Sequence, residues 1–543
     1  MDGPAFTRLG PMAPNAVRLA LVVLALAPVL AAAPAVAQVQ VQTLAPPDLF
    51  SVGTGASDLP SDLWTGSSGA LAKAVMPVLG TRPMSFAATA LARRVLSASA
   101  NGPEGVGDDP VLAASRAEAL LDLGDAAGVQ TITDRTPSLP QKTELSRVAA
   151  EADLIEGQDD KACAIGDGLA GGRDGAYWLR LRAYCQARAG QGPAAQLTLD
   201  LSEQAESTPD FQRLMNALLA GKDAGAPALD NGLDFALSRR VSAIWTQGMA
   251  GAAAPIVVAV ARDPAAPQAA RVDAVARAAR LGLPAPDAVA AALPPPPADI
   301  ATVNRPGPYG EASLIALASA TNDMTIKEAA IIALLDRSKD VSELQALAPI
   351  AAPFIGQLIA AKAVLKEPAP FAMAAATAGD LASAKAARAE VGQGGSAPPS
   401  PTDLALLDAL IAIASPNQDS ATAALDAALV QADPTARAKM GQALGLLSAL
   451  GAPMNAQERF DLSSVDLDAK APASRLVAMD LAARAGRMGD TALYALQIAS
   501  DAGPAGMATG DRIRIVQALA QAGLKTDARA FAVEGLLALQ GRP

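Results

Sequence analysis

The stretch EGQDDKACAIGDGLAGGRDGAYWLRLRAYCQARAGQ, Glu156 to Gln191, decides how the chain is read. Near its two ends stands the same punctuation, Glu156-Gly157-Gln158-Asp159 and Ala189-Gly190-Gln191-Gly192. A glycine just past a helix end takes up the left-handed C-cap conformation at no steric cost, so each marks a helix stop followed by a new start. Between the stops, Gly171 to Gly175 split the stretch into two helical halves, with Cys163 and Cys185 lying 11 residues either side of Asp174. In an antiparallel helical hairpin, equal offsets from the turn bring side chains to the same height, and we therefore expect a structural Cys163–Cys185 disulfide. Such a bridge contributes roughly 3 kcal/mol in the chain-entropy picture. A redox-active pair lacks the CxxC spacing, and two free buried thiols are the remaining alternative.

Outward from this hairpin the stop recurs. Leu123-Gly124-Asp125-Ala126 precedes it and Ala220-Gly221-Lys222-Asp223 follows, giving glycine intervals of 33, 33 and 31 residues. A second series, Gly379, Ser415, Gly451, Gly486 and Gly523, has intervals of 36, 36, 35 and 37. Two helices and two turns occupy about 34 to 40 residues in stacked repeats. Apolar residues recur at three and four, as in Leu314, Ile315, Leu317 and Ala318, then Ile331, Ile332, Leu334 and Leu335, the period of an amphipathic helix. Ala, Leu and Arg, all strong helix formers, dominate these segments. Strand-like β-branched runs are missing outside the N-terminal apolar segment and Ile256–Val260. A hairpin cannot bury its apolar face alone, so neighbours must stack, and the expected fold is all-α, an α-solenoid of stacked helical hairpins.

Trp178-Leu179-Arg180-Leu181-Arg182-Ala183-Tyr184-Cys185, followed by Ala189-Gly190 and Ala194-Ala195, resembles tetratricopeptide-type repeats. The usual Trp, Leu-Gly, Tyr and closing Pro positions are not met together in any one unit. The resemblance therefore implies a tetratricopeptide-like superhelix and carries over no binding residue. Taken whole, with LPSDLWTGSSGA (Leu59 to Ala70) and WLRLRAYC as its most distinctive stretches, the chain also resembles exported, Ala-rich repeat proteins of alphaproteobacteria of unknown function.

Breaks in the pattern divide the chain. Residues 1–37 read as a cleaved signal peptide, 38–109 as a flexible leader with the first helices, and 110–293 as an N-terminal helical-repeat array. A Pro-rich loop, 294–310, holds no helix signal and precedes middle repeats over 311–391. A Gly/Pro linker, 392–402, then leads to a C-terminal array, 403–543.

The export reading rests on Arg8 and Arg18, the apolar run Leu19 to Leu30, and Ala35-Val36-Ala37, which together match the three parts of a secretory signal cleaved after Ala37. The expected location is the periplasm of a Gram-negative cell, or outside it. An uncleaved anchor is the alternative, because the uncharged run continues to Asp48. Cleavage leaves 41 basic and 53 acidic residues, and Arg93-Arg94 and Arg239-Arg240 are isolated pairs read as solvated helix faces, so nucleic acid is disfavoured as a partner. No further membrane span is expected.

The chain has no His, which removes Ser-His-Asp and Cys-His activation and His-ligated zinc. No nucleotide loop or nucleophile elbow is present, and no cofactor or metal is expected. Paired carboxylates can cleave glycosides without His. The candidates Glu144, Glu151, Glu203, Glu311 and Glu534 have opposite charges nearby, and we read them as solvated helix faces. Asp108-Asp109 and Asp159-Asp160 read as helix N-termini that welcome negative charge. Tyr177, Trp178 and Tyr184 read as core. Trp64 lies in a Gly- and Ser-rich stretch and is the candidate partner-binding residue, docking on the array or on another protein. The expected function is a non-enzymatic scaffold for a protein or peptide partner, with a cell-wall enzyme using groove carboxylates as the alternative.

Overall fold

The computed structural model describes residues 47–242, 245, 249–283, 286–303, 305–393, 399–414, 425, 432–504 and 506–540; the signal peptide expected over 1–37 lies outside them. Residues 47–543 form one unit. Among the described residues there is no β-strand, and the chain is all-α. In chain order the helices are α1 (Gly69–Val75), α2 (Phe86–Ser97), α3 (Pro110–Asp122), α4 (Ala126–Asp134), α5 (Thr143–Ile155), α6 (Asp159–Gly168), α7 (Ala176–Arg188), α8 (Gly192–Ala205), α9 (Pro209–Ala220) and α10 (Gly232–Val241). The middle holds α11 (Ala254–Arg262), α12 (Gln268–Arg280), α13 (Pro286–Ala292), α14 (Pro308–Ala320), α15 (Met324–Leu335), α16 (Val341–Ala360), α17 (Pro368–Thr377) and α18 (Leu381–Glu390). The remainder are α19 (Pro401–Ala414), α20 (Pro434–Ala449), α21 (Ala456–Ser463), α22 (Ala473–Arg484), α23 (Met488–Ala502), α24 (Thr509–Gln521) and α25 (Lys525–Gln540).

Local chemistry sets these boundaries. Asp109, Asp125, Asn231, Asp323, Asp340 and Asp433 each accept a backbone N–H from the first turn of the helix they precede, satisfying donors that a helix leaves open. Gly124, Gly157, Gly190 and Gly221, with φ between +61° and +78°, end α3, α5, α7 and α9 in the left-handed conformation. Gly379, Gly451, Gly486 and Gly523 do the same after α17, α20, α22 and α24, and Ser415 of that series lies outside the described residues. After each stop the chain folds back, so α3 packs on α4, α5 on α6, α7 on α8, α17 on α18, α22 on α23 and α24 on α25. Two boundaries differ from the sequence reading. Helix α19 starts at Pro401, inside the linker expected over 392–402. Helix α14 starts at Pro308, inside the Pro-rich stretch, because a proline at the first helical position has no N–H to leave unpaired.

The two ends of this unit meet. Helix α2 packs on α3 and also on α23 and α25, while α1 packs on α23. Going round, α3 touches α11, α11 touches α12, α12 touches α16, and α16 touches α25. These contacts make a ring of α2, α3, α11, α12, α16 and α25.

Three carboxylates from the last helices hold the two ends of the unit together. Glu534 accepts the Ala87 N–H at 2.7 Å, Asp490 accepts the Ser68 N–H at 2.9 Å, and Asp527 pairs with Arg94. The first two sit where a helix N-terminus presents open donors and a positive end. The segment before α1 adds its own anchors: Leu49, Phe50, Leu63 and Trp64 are buried. Buried Arg116 donates to the carbonyls of Val52, Leu96 and Ala98, tying that segment to the end of α2.

Helix α16 is, among the described residues, the one helix long and apolar enough to cross a membrane. Its Leu344, Leu347, Ala348, Ala351, Ile355 and Leu358 are buried, and it packs on α12, α15, α17 and α18. Pro349 and Pro353 stand inside it, where each removes an intrahelical donor, so packing from several sides compensates for what the backbone loses.

Candidate functional site

Helices α2, α12 and α16 of the ring border a half-open apolar cleft of about 790 Å³. One wall is α2, which presents Phe86, Ala90, Arg93, Arg94 and Ser97. Their spacing of three and four places them on a single helix face. The facing wall is α16, through Gln345, Ala346, Pro349, Ile350, Pro353 and Phe354, again one face. Val275 and Ala279 of α12, Leu283, Val289, Leu293 and Ile315 close the sides. The lining is therefore apolar along its length, with charge confined to Arg93, Arg94 and Asp125.

These three charges are held differently. Arg94 pairs with Asp58 at 2.6 Å and with buried Asp527, so its charge is matched twice. Arg93 donates to the Leu123 carbonyl, and its nearest carboxylate oxygen, on Asp125, is 3.7 Å away. Burial pulls the Arg93 pKa below its ordinary value, Asp125 opposes this, and Arg262 adds to it. Asp125 in turn accepts the Gly128 N–H at 3.0 Å and caps α4. Behind Ile350 a small recess of about 30 Å³ contains Arg280, Glu311 and Glu343. Arg280 lies 2.7 Å from Glu311 and 3.6 Å from Glu343, so these acids are bridged by a cation rather than left facing each other.

The residues singled out in the sequence lie elsewhere. Cys163 on α6 and Cys185 on α7 form a disulfide, with 5.8 Å between their Cα atoms. Tyr184 donates to Asp159 at 2.8 Å, and Trp178 and Tyr184 are buried. Trp64 is 2% exposed. Its indole meets the Phe50 ring edge-on and covers Gly489, where a Cβ would come within 2.5 Å of the ring. Of the two dockings expected for Trp64, the one on another protein is corrected: the indole is committed within the chain to the contact between the first and last helices.

Several charged residues read as solvated are also corrected. Glu151, Glu311 and Glu534 are buried, and Glu151 accepts the Gly232 N–H at the start of α10. Burial raises the pKa of both Glu151 and Glu534, partly offset by the N–H bonds they accept. Arg239 and Arg240 converge on Asp159 at 3.2 and 2.8 Å. Arg93 and Arg94 border the cleft. Sequence reading missed Phe86, Arg93, Ile350 and Phe354 as a group; the available signal was an apolar helix carrying two internal prolines, Pro349 and Pro353. No protein-family model, curated protein or solved structure matches the chain.

Proposed function

We propose that the protein is a periplasmic, non-enzymatic interaction scaffold of stacked, tetratricopeptide-like hairpins that holds the apolar part of a partner or ligand in its central cleft. The carrying observation is the cleft, whose volume of about 790 Å³ and apolar lining match pockets that take organic ligands. The Cys163–Cys185 disulfide supports export, since such bonds persist in oxidising compartments. Glycoside cleavage needs two carboxyl groups about 5 to 9.5 Å apart across a substrate. Among the described residues lining the cleft, Asp125 is the one carboxylate, and it caps α4.

The test is titration with the apolar fluorophore N-phenylnaphthylamine. A scaffold with this cleft takes up one molecule per chain, saturably, and Ile350→Arg abolishes uptake while leaving the thermal melt unchanged. Absence of saturable uptake, or equal uptake by Ile350→Arg, would contradict the proposal.

A further inference from the structure

We infer that the cleft binds a single-tailed amphiphilic acid, its hydrocarbon tail lying between α2 and α16 and its acidic head at Arg93. The inference deepens the proposed function and rests on the cleft being a binding site.

Three observations lead to it. The cleft face of α2 changes character along its length: Phe86 and Ala90 come first, Arg93 and Arg94 follow. Seven residues at about 1.5 Å each put Arg93 roughly 10 Å along the axis from Phe86. Opposite, Pro349, Ile350, Pro353 and Phe354 continue an apolar surface. A tail buried there gains the hydrophobic contribution of each methylene. An extended peptide would bring a polar backbone for which this lining offers few partners, and unpaired buried amides are costly.

The second observation is the uneven state of the two arginines. Arg94 is matched by Asp58 and Asp527, whereas Arg93 has a carbonyl bond and a carboxylate at 3.7 Å, beyond hydrogen-bonding distance. An acid head can make the charge-assisted contact of about 2.7–2.9 Å that Asp125 does not. The third is burial: the Arg93 side chain is 21% exposed, so its guanidinium is largely withdrawn from water, and that burial pulls its pKa down. Asp125 remains a competing anion beside any acidic head, which gives the inference its sharpest test.

The full chain is loaded with N-phenylnaphthylamine, which is then displaced, below micellar concentrations, by hexadecanoate, hexadecanol, hexadecylammonium or hexadecanoyl-lysophosphatidate. The acids are expected to displace the probe at concentrations about tenfold or more below the alcohol, the scale of a hydrogen bond to a charged group. The stronger of the two acids tells a free fatty acid from a phosphate-headed lipid. Arg93→Gln should remove the preference for acids without weakening the alcohol, and Arg93→Lys should keep part of it. Asp125→Asn, which preserves the helix cap, should widen the preference. Equal displacement by all four heads, or tightest binding of the ammonium, overturns the assignment of the head while the cleft reading survives. Displacement by none of them, with no uptake of the probe, overturns both.

Discussion

Two regions of the molecule solve the same packing problem differently. Around α6 to α10 a satellite core of Trp178, Leu181, Tyr184, Leu199, Phe211, Leu214 and Leu237 stands apart from the main one. It is fastened by the disulfide and by Asp159, on which Tyr184, Arg239 and Arg240 converge. The ring around the cleft has no covalent tie. Its helices are joined through a continuous Ala- and Leu-rich core and closed by carboxylates of the last helices on the N-termini of the first. A small core needs a local staple because it buries too little apolar surface. A large one can hold distant ends together by packing and a few well-placed charges.

The contrast predicts where damage spreads. The largest effect is expected from Trp64→Ala, which empties the seam over Gly489 and should cost about 3–5 kcal/mol, as truncation of buried aromatics does; urea unfolding measures it. Glu534→Ala removes the acceptor for the Ala87 N–H and leaves buried Arg512 without its nearest carboxylate, 4.0 Å away. Uncompensated buried charges are costly, and a loss of about 3 kcal/mol is expected in the same assay. Replacing both cysteines by serine should cost up to about 3 kcal/mol. Its signature is local: hydrogen exchange should quicken in α6 to α8 and not in α2 or α16. Equal loss of protection everywhere would show that the satellite core does not act separately.

The smallest effect is in the pH dependence. Burial pushes Asp122 up to about 6, with Glu118 adding to it, and pushes Asp234 up to about 6 against a hydrogen bond from Asn231. Groups raised on folding bind protons more tightly in the native state, so their contribution is full below about pH 4 and is lost as pH rises through 6. Asp122→Asn and Asp234→Asn should each raise the melting temperature at pH 7 and leave it nearly unchanged at pH 4. Asp122 belongs to α3 in the ring and Asp234 to the satellite core, so comparing them shows which region sets the slope.

What the sequence disclosed was local. The glycine stops appear as left-handed residues at helix ends, and the Cys163–Cys185 pair was legible because its symmetry about Asp174 is a property of one hairpin. The run Ile256–Val260, strand-like in its β-branched residues, lies within helix α11, buried on most of its sides. Closure of the ring was not legible: Arg94 meets Asp527 and Ala87 meets Glu534 across more than four hundred residues. Charges on helices of ordinary pattern carry no mark of the neighbour that buries them. For the same reason Arg93 looked like half of a solvated pair, and the sequence left Trp64 open between docking on the array and on another protein.

The most direct measurement is hydrogen exchange across α2 in the full chain carrying Asp527→Asn and Glu534→Gln together. If the first and last helices close one ring, amides over residues 86–97 exchange faster in this variant, while those of α7 and α8 keep their protection. Faster exchange confined to residues 509–540, with α2 unchanged, would contradict the closed ring and the cleft that depends on it.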